Sequence, residues 1–332
     1  MKTRIAINGF GRIGRPALKI ALEKNNLEVV AINDLTDDKT LAHLLKYDSS
    51  YGIYGKNVEA RDGEIIIDGK GIKSFSEPDP MKLPWKDLDV DIVLECSGAF
   101  ADRAGSQKHL DAGAKKVILS APPKGDDIPV YLIGVNEKDI DPSENIISNG
   151  SCTTNCLAPM IKVLDENFGV EKGFMTTIHS YTNDQRILDL PHKDLRRSRA
   201  AAQNIIPTST GAAKTVAKVF RNLQGKLNGI AMRVPTPVVS ATDFICVLKK
   251  ETTAEEINNA YREAAQTYLK NILTVSDEEL VSMDFKGNPH SAIIDLPLTM
   301  AQGNLVKVVG WYDNEWGYAN RLVEMAELLG KK

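Results

Sequence analysis

Three features of the 332-residue sequence predict an α/β chain in two parts: a doubly wound, mostly parallel sheet, then an α+β region with a mostly antiparallel sheet. "RIAIN", "GFGRIG", "RPALKIALEKN" and "LEVVAIND" follow one another from Arg4 to Asp34 as strand, glycine turn, helix and strand. Bounded apolar runs recur at Val90–Gly98 and Lys115–Pro122, as in strands buried on both faces. Beyond Cys152, long alternating runs take over.

The elements read in order. Ile13, Ala17, Ile20 and Ala21 repeat at helical spacing, with Pro16 in the first turn, where a missing N–H costs nothing. From Tyr51 to Pro84 the alternation and turn residues of "EIIIDGKGIKSFSEPDP" predict an antiparallel insertion. "HLDAGAK" reads as a helix end closed at Gly113. "KGFMTTIHSYT", "GIAMRVPTPVVSATDFICVLKK" and "NLVKVVGWYDN" predict antiparallel strands. "AEEINNAYREAAQTYLK" is an amphipathic helix capped by Thr253, and "GYANRLVEMAELLG" a C-terminal helix.

Composition narrows the function. A net charge of -3 gives no general pull toward nucleic acid or anionic membrane. Four cysteines in 332 residues are no disulfide scaffold, and no apolar run approaches the roughly 18 residues of a membrane span, so a reducing cytoplasm is expected. The C-x₃-C spacing of Cys152 and Cys156 is no zinc signature, and no metal is expected. Trp85 reads as a core or interface aromatic and His109 as a surface or packing histidine.

Gly9, Gly11 and Gly14 match G-x-G-x-x-G directly after a strand and at the opening of a helix, and Asp34 ends the next strand. Gly9 allows the tight turn, Gly11 lets the main chain approach a pyrophosphate, and Gly14 lets helix pack on sheet. The pattern predicts a Rossmann-type dinucleotide-binding domain. The Asp34 carboxylate suits ribose hydroxyls and would repel a 2′-phosphate, which favours NAD over NADP.

"SNGSCTTNCLAP" places Cys152 where a loop gives way to a helix. A helix N-terminus lowers a thiol pKa, polar Thr153, Thr154 and Asn155 surround the residue, and His179 follows on a strand before a polar loop. Residue types alone leave two readings, a packed thiol or a Cys–His nucleophile.

"INGFGRIGR", "SCTTNCLAP", "HSYTNDQR", "HKDLRRSRAAAQNIIPTSTGAAK", "MRVPTP" and "WYDNEWGYANR", in order and covering essentially the whole chain, resemble the phosphorylating glyceraldehyde-3-phosphate dehydrogenases. The resemblance implies an NAD-binding domain over residues 1–151, completed by a C-terminal helix at 315–332, and a catalytic domain over 152–314. It implies that Cys152 attacks the aldehyde of glyceraldehyde 3-phosphate with His179 as base, forming a thiohemiacetal and then a thioester that inorganic phosphate cleaves. Thr182 and Arg233 match its substrate-phosphate site, and Ser151, Thr153, Arg197, Thr210 and Gly211 its inorganic-phosphate site. Arg12, Ile13, Asp34, Ser97 and Gly98 follow its cofactor pattern, with Asn314 on the nicotinamide carboxamide. By the same resemblance the loop from Tyr181 to Asn204 packs at a subunit interface, which implies a homotetramer rather than a nucleic-acid surface.

Gly150 and Val238 depart from the family pattern near the nucleophile and near the subunit contacts. Two alternatives share much of the pattern. An erythrose-4-phosphate dehydrogenase would give its acyl group to water, and a non-catalytic NAD- or RNA-binding paralogue would give no turnover.

Overall fold

Continuous apolar runs put β1 (Thr3–Asn8) and β2 (Leu27–Asn33) at the centre of a sheet, where Ile5, Ala6, Ile7, Ala31 and Ile32 have no exposed surface. The computed structural model describes residues 1–331, and the expected helix position at Lys332 lies outside the described residues. These residues form two compact units, one of 1–131, 138–150 and Ala319 onward, the other of 132–137 and 151–318.

Around β1 and β2 the first unit adds α1 (Gly14–Ala21), α2 (Asp38–Lys46), the short pair β3 (Tyr47–Asp48) and β4 (Gly52–Ile53), and β5 (Val58–Arg61). It continues with β6 (Glu64–Ile67), β7 (Lys70–Phe75), β8 (Ile92–Glu95), α3 (Arg103–Asp111), β9 (Lys116–Leu119) and β10 (Ile146–Ser148). The sheet order is β10-β9-β8-β1-β2-β7-β6-β5. Every pair from β10 to β7 is parallel, and only β5–β6 and β6–β7 are antiparallel. The expected antiparallel insertion is thus an extension of the main sheet, because β7 docks in parallel on β2. Asn33, Asn8 and Glu95 share one register level at the carboxyl ends of β2, β1 and β8.

The second unit carries α4 (Cys152–Phe168), β11 (Val170–Ser180), β12 (Ile206–Ser209), α5 (Ala212–Val219), β13 (Leu227–Val234) and β14 (Ser240–Leu248). It closes with α6 (Ala254–Gln266), β15 (Leu273–Ser276), β16 (Ala292–Asp295), β17 (Met300–Gln302) and β18 (Leu305–Tyr312). The order is β12-β13-β11-β14-β18-β16-β15, with β17 on β18. Most pairs are antiparallel, but β11–β13 and β15–β16 are parallel. The sequence predicted antiparallel strands here. The chain instead leaves β11 through β12 and α5 and re-enters beside it in the same direction, the crossover that a parallel pair requires.

Helix α4 is buried along most of its length, with Cys156, Leu157, Met160, Ile161 and Leu164 fully enclosed. On α6, Thr253 and Glu256 form the reciprocal capping box that the Thr253 signal anticipates. The C-terminal helix α7 runs Trp316–Gly330, and its Glu327 meets Lys24 at 2.9 Å.

Candidate active site

The glycine turn in the first unit is built by contact. Gly9 has φ +93°, and a Cβ there would lie 2.4 Å from the Ser97 nitrogen. A Cβ on Gly14 would lie 2.2 Å from the Gly9 carbonyl oxygen, so helix α1 starts directly against the turn. At Gly11 the same test meets nothing within 4 Å, which leaves the main chain open to a ligand. Ile13 is the N-cap of α1, which has no side-chain cap and no acidic residue in its first turn, so its amides suit an anion. Asp34 follows β2 directly. Its Oδ2 accepts from the Phe10 amide at 2.8 Å and its Oδ1 from the Thr36 amide at 3.1 Å, so it also braces the glycine turn. The donor set fits a dinucleotide. The Arg12 guanidinium donates to Asp48 at 2.7 Å and lies over the Tyr51 ring. Ser97 donates through Oγ to Glu95, and Gly98 turns the chain at φ +72°.

In the second unit Ser151 caps α4, its Oγ accepting from the Thr154 amide at 3.1 Å, so Cys152 occupies the first helical position. Cys152 Sγ lies 3.4 Å from His179 Nε2 near the end of β11. His179 is 5% exposed, with Nδ1 2.7 Å from the Ser180 carbonyl. Arg233 is the register partner of His179 on β13. Its Nη1 reaches His179 Nδ1 and donates to the same carbonyl at 3.0 Å. Guanidinium is always a donor, and the Ser180 oxygen accepts. Nδ1 cannot both donate to that oxygen and accept from the guanidinium; the tautomer with Nδ1–H on the Ser180 oxygen is the one that turns the Nε2 lone pair to the thiol.

Burial pushes the Cys152 thiol above its ordinary pKa, while Arg233 and the Thr153 amide at the helix start pull it down. This corrects the expectation of a lowered thiol. The helix terminus acts in the expected direction, but desolvation outweighs it. Burial also depresses His179 from 6.5 to about 3, and the Arg233 charge adds to the fall. Burial thus favours the uncharged form of each partner, thiol and imidazole.

The remaining predicted residues take distinct places. Thr153 shares the Tyr312 hydroxyl with Thr177, at 2.9 and 2.8 Å, and the Tyr312 ring stands edge-on to His179. Arg197 donates to Thr208 at 2.8 Å, to the Ser209 carbonyl at 3.2 Å and to Asp184, so it stands beside the turn that carries Thr210 and Gly211. Thr210 accepts from the Ala212 amide, and α5 begins at Gly211 with no side-chain cap and no acid in its first turn. Thr182 lies two residues past Ser180, its amide on Gln185. Arg233 Nε is buried without a protein partner, a donor that an anion would satisfy. Asn314 accepts from Ser240 Oγ at 3.0 Å.

Sequence reasoning missed Tyr312 and Asp184, which hold predicted site residues from afar. It also missed Val239, a β-branched residue at φ +68° whose carbonyl accepts from Ser180 Oγ at 2.7 Å. Gly150 stands at φ +64°, so the departure there meets a left-handed backbone that glycine adopts without strain. Val238 is fully buried.

The comparisons with known proteins agree with this arrangement. Residues 3–103 match the family model of the glyceraldehyde 3-phosphate dehydrogenase NAD binding domain, and residues 151–314 that of its C-terminal domain. Glyceraldehyde-3-phosphate dehydrogenase 1 of Bacillus cereus is 56% identical over 332 residues, 99% of each chain. The Geobacillus stearothermophilus glyceraldehyde-3-phosphate dehydrogenase is 55% identical over 100% of this chain and 99% of its own. The chloroplastic glyceraldehyde-3-phosphate dehydrogenase A of Chlamydomonas reinhardtii is 55% identical over 100% of this chain and 90% of its own. An uncapped glycine turn, a Cys–His pair under an arginine and end-to-end similarity to these enzymes converge, and the chain belongs to the glyceraldehyde-3-phosphate dehydrogenase family.

Proposed function

We infer that Cys152 and His179 oxidise glyceraldehyde 3-phosphate through a thioester on Cys152, which inorganic phosphate then cleaves to 1,3-bisphosphoglycerate. The chain is an NAD-dependent glyceraldehyde-3-phosphate dehydrogenase of glycolytic and gluconeogenic type. The observation that carries the stepwise reading is the 3.4 Å contact between Cys152 Sγ and His179 Nε2.

Sγ attacks the aldehyde carbon while its proton passes to Nε2. The carbonyl electron pair moves to oxygen, which the Cys152 amide at the helix start stabilises and His179 then protonates. Nε2 next takes the hydroxyl proton back as the carbon gives up hydride, and the carbonyl re-forms as a thioester. NAD, when bound, supplies the hydride acceptor. A phosphate oxygen attacks the thioester carbon, and the departing sulfur recovers its proton from His179. The proton that His179 returns after phosphate cleaves the thioester restores the thiol at the end of the cycle, the form that burial of Cys152 favours.

Arg233 and Thr182 are assigned to the substrate phosphate, which the buried, unpartnered Arg233 Nε supports. Thr210, Gly211, Ser151, Thr153 and Arg197 are assigned to inorganic phosphate, with the uncapped start of α5 in support. Gly9, Gly11, Arg12, Ile13, Gly14, Asp34, Ser97 and Gly98 are assigned to NAD, and Asn314, oriented by Ser240, to its carboxamide.

The test is NADH formation from glyceraldehyde 3-phosphate with and without inorganic phosphate. About one NADH per subunit in a burst without phosphate, and steady turnover with it, is expected. Steady turnover indifferent to phosphate would mean hydrolysis and would overturn the acyl-transfer assignment in favour of an erythrose-4-phosphate-type enzyme.

We assign a homotetramer, which the uncovered sheet face of the second unit supports. Phe174 is 72% exposed, and Ile178, Ile230, Ile245 and Leu305 also stand in the open on β11, β13, β14 and β18. Ile187 and Leu195 of the 181–204 loop add two more exposed apolar side chains. A patch of this kind calls for a partner, here further copies of the chain. Light scattering should give four times the 36.4 kDa chain mass, and a monomer at micromolar concentration would refute the assignment. The cytoplasm is the proposed compartment, supported by four free cysteines. No helix among the described residues is long and apolar enough to cross a membrane.

A further inference from the structure

Behind the glycine turn lies a buried polar chain that the reaction does not use. Glu95, 2% exposed, ends β8. Its Oε2 accepts from Asn8 Nδ2 at 2.5 Å and meets His109 Nε2 at 3.1 Å. Its Oε1 accepts from the Ser97 amide at 2.8 Å and from Ser97 Oγ. Trp85 Nε1 donates to His109 Nδ1 at 3.0 Å, so the His109 proton is on Nε2 and points at Glu95. Asn8 Oδ1 in turn accepts from Asn33 Nδ2 at 2.7 Å. Trp85 and His109 have no exposed surface, and Asn8 and Asn33 have almost none.

All four partners of Glu95 are donors, and together they fix the two chain segments that meet at the glycine turn. Asn8 directly precedes Gly9. The Ser97 nitrogen is the atom a Cβ on Gly9 would strike. We propose that Glu95 is a positioning residue for the dinucleotide: its carboxylate, aimed by His109 and Trp85, holds Asn8 and Ser97 so that the Gly9–Gly11 main chain stands preformed for the pyrophosphate. The proposal rests on the assignment of that turn to NAD. It differs from a packing role because glutamine, equal in size, must turn its NH₂ toward donors at one end or the other.

The test compares E95Q, H109L and H109Q with the wild type by NAD titration and steady-state kinetics. E95Q should raise the Kd and KM for NAD about tenfold, with kcat and the KM for glyceraldehyde 3-phosphate within about twofold, since one buried donor loses its acceptor. H109L, which removes one donor and leaves the carboxylate in place, should raise the NAD Kd about threefold, and H109Q, which can still donate, should restore it. If E95Q does not fold, the H109L and H109Q pair decides alone. Wild-type NAD affinity in both E95Q and H109L would overturn the proposal. Equal losses in H109L and H109Q, or a parallel loss of kcat, would mean a general structural role and would also overturn it. Failure of the wild type to bind NAD would instead overturn the turn's assignment.

Discussion

Replacing Cys152 with serine should lower kcat by at least about four orders of magnitude and abolish the NADH burst, with NAD binding and melting temperature close to wild type. The oxygen of serine sits in the same place, at the first position of α4, where Ser151 still supplies the cap. What is lost is an atom that attacks readily, leaves readily and holds an acyl group at high energy. A serine ester would be too stable for phosphate to cleave at a useful rate, so even a slow first turnover would stall. Cys156 gives the control. It is fully buried one turn on, with its Sγ 3.8 Å from the Gly310 carbonyl, and burial holds its thiol far above the ordinary range. C156S should keep the burst. A C152S enzyme that turned over within a hundredfold of wild type would remove the covalent route.

What could be read from the chain alone follows sequence distance. The glycine turn was legible because its parts are neighbours: Gly9 and Gly14 touch each other, and their spacing is the contact. Helix α4 was legible because Ser151 and the apolar run after it are consecutive. The pairing of His179 with Arg233 was not, because it depends on the parallel register of β11 and β13, which only the crossover through α5 creates. The raised Cys152 pKa was not legible either. A helix terminus can be read from sequence, but the depth of burial that outweighs it comes from the packed unit. For His109 the sequence left surface and packing roles open, and for Trp85 core and interface roles; both are buried, and their ring nitrogens form one hydrogen-bond chain ending on Glu95. Asp34 was read for its charge toward a ribose, and its bond to the Phe10 amide emerges only once β2 lies beside β1.

Replacing His179 with asparagine should cut kcat about a thousandfold, as expected when the base in contact with the nucleophile is lost. Asparagine can occupy much of the space and hydrogen-bond to Ser180, but it cannot take the thiol proton or the thiohemiacetal proton. Both early steps slow, so the burst should become slow as well as the steady rate. A variant within about tenfold of wild type would assign the base elsewhere. The same substitution has a signature without substrate. In the folded chain His179 titrates near 3, in the unfolded chain near its ordinary 6.5. Between those values only the unfolded chain binds the proton, so this residue erodes stability as pH falls from about 6.5 toward 3, by up to about 1.4 kcal/mol per pH unit. Above about 6.5 it contributes no pH dependence. H179N removes that proton, so its stability should decline less steeply than wild type between pH 6.5 and 4 in denaturant titrations. Equal slopes would show that the folded His179 holds its proton as well as the unfolded one below pH 6.5, and the depressed imidazole from which the mechanism starts would have to be given up.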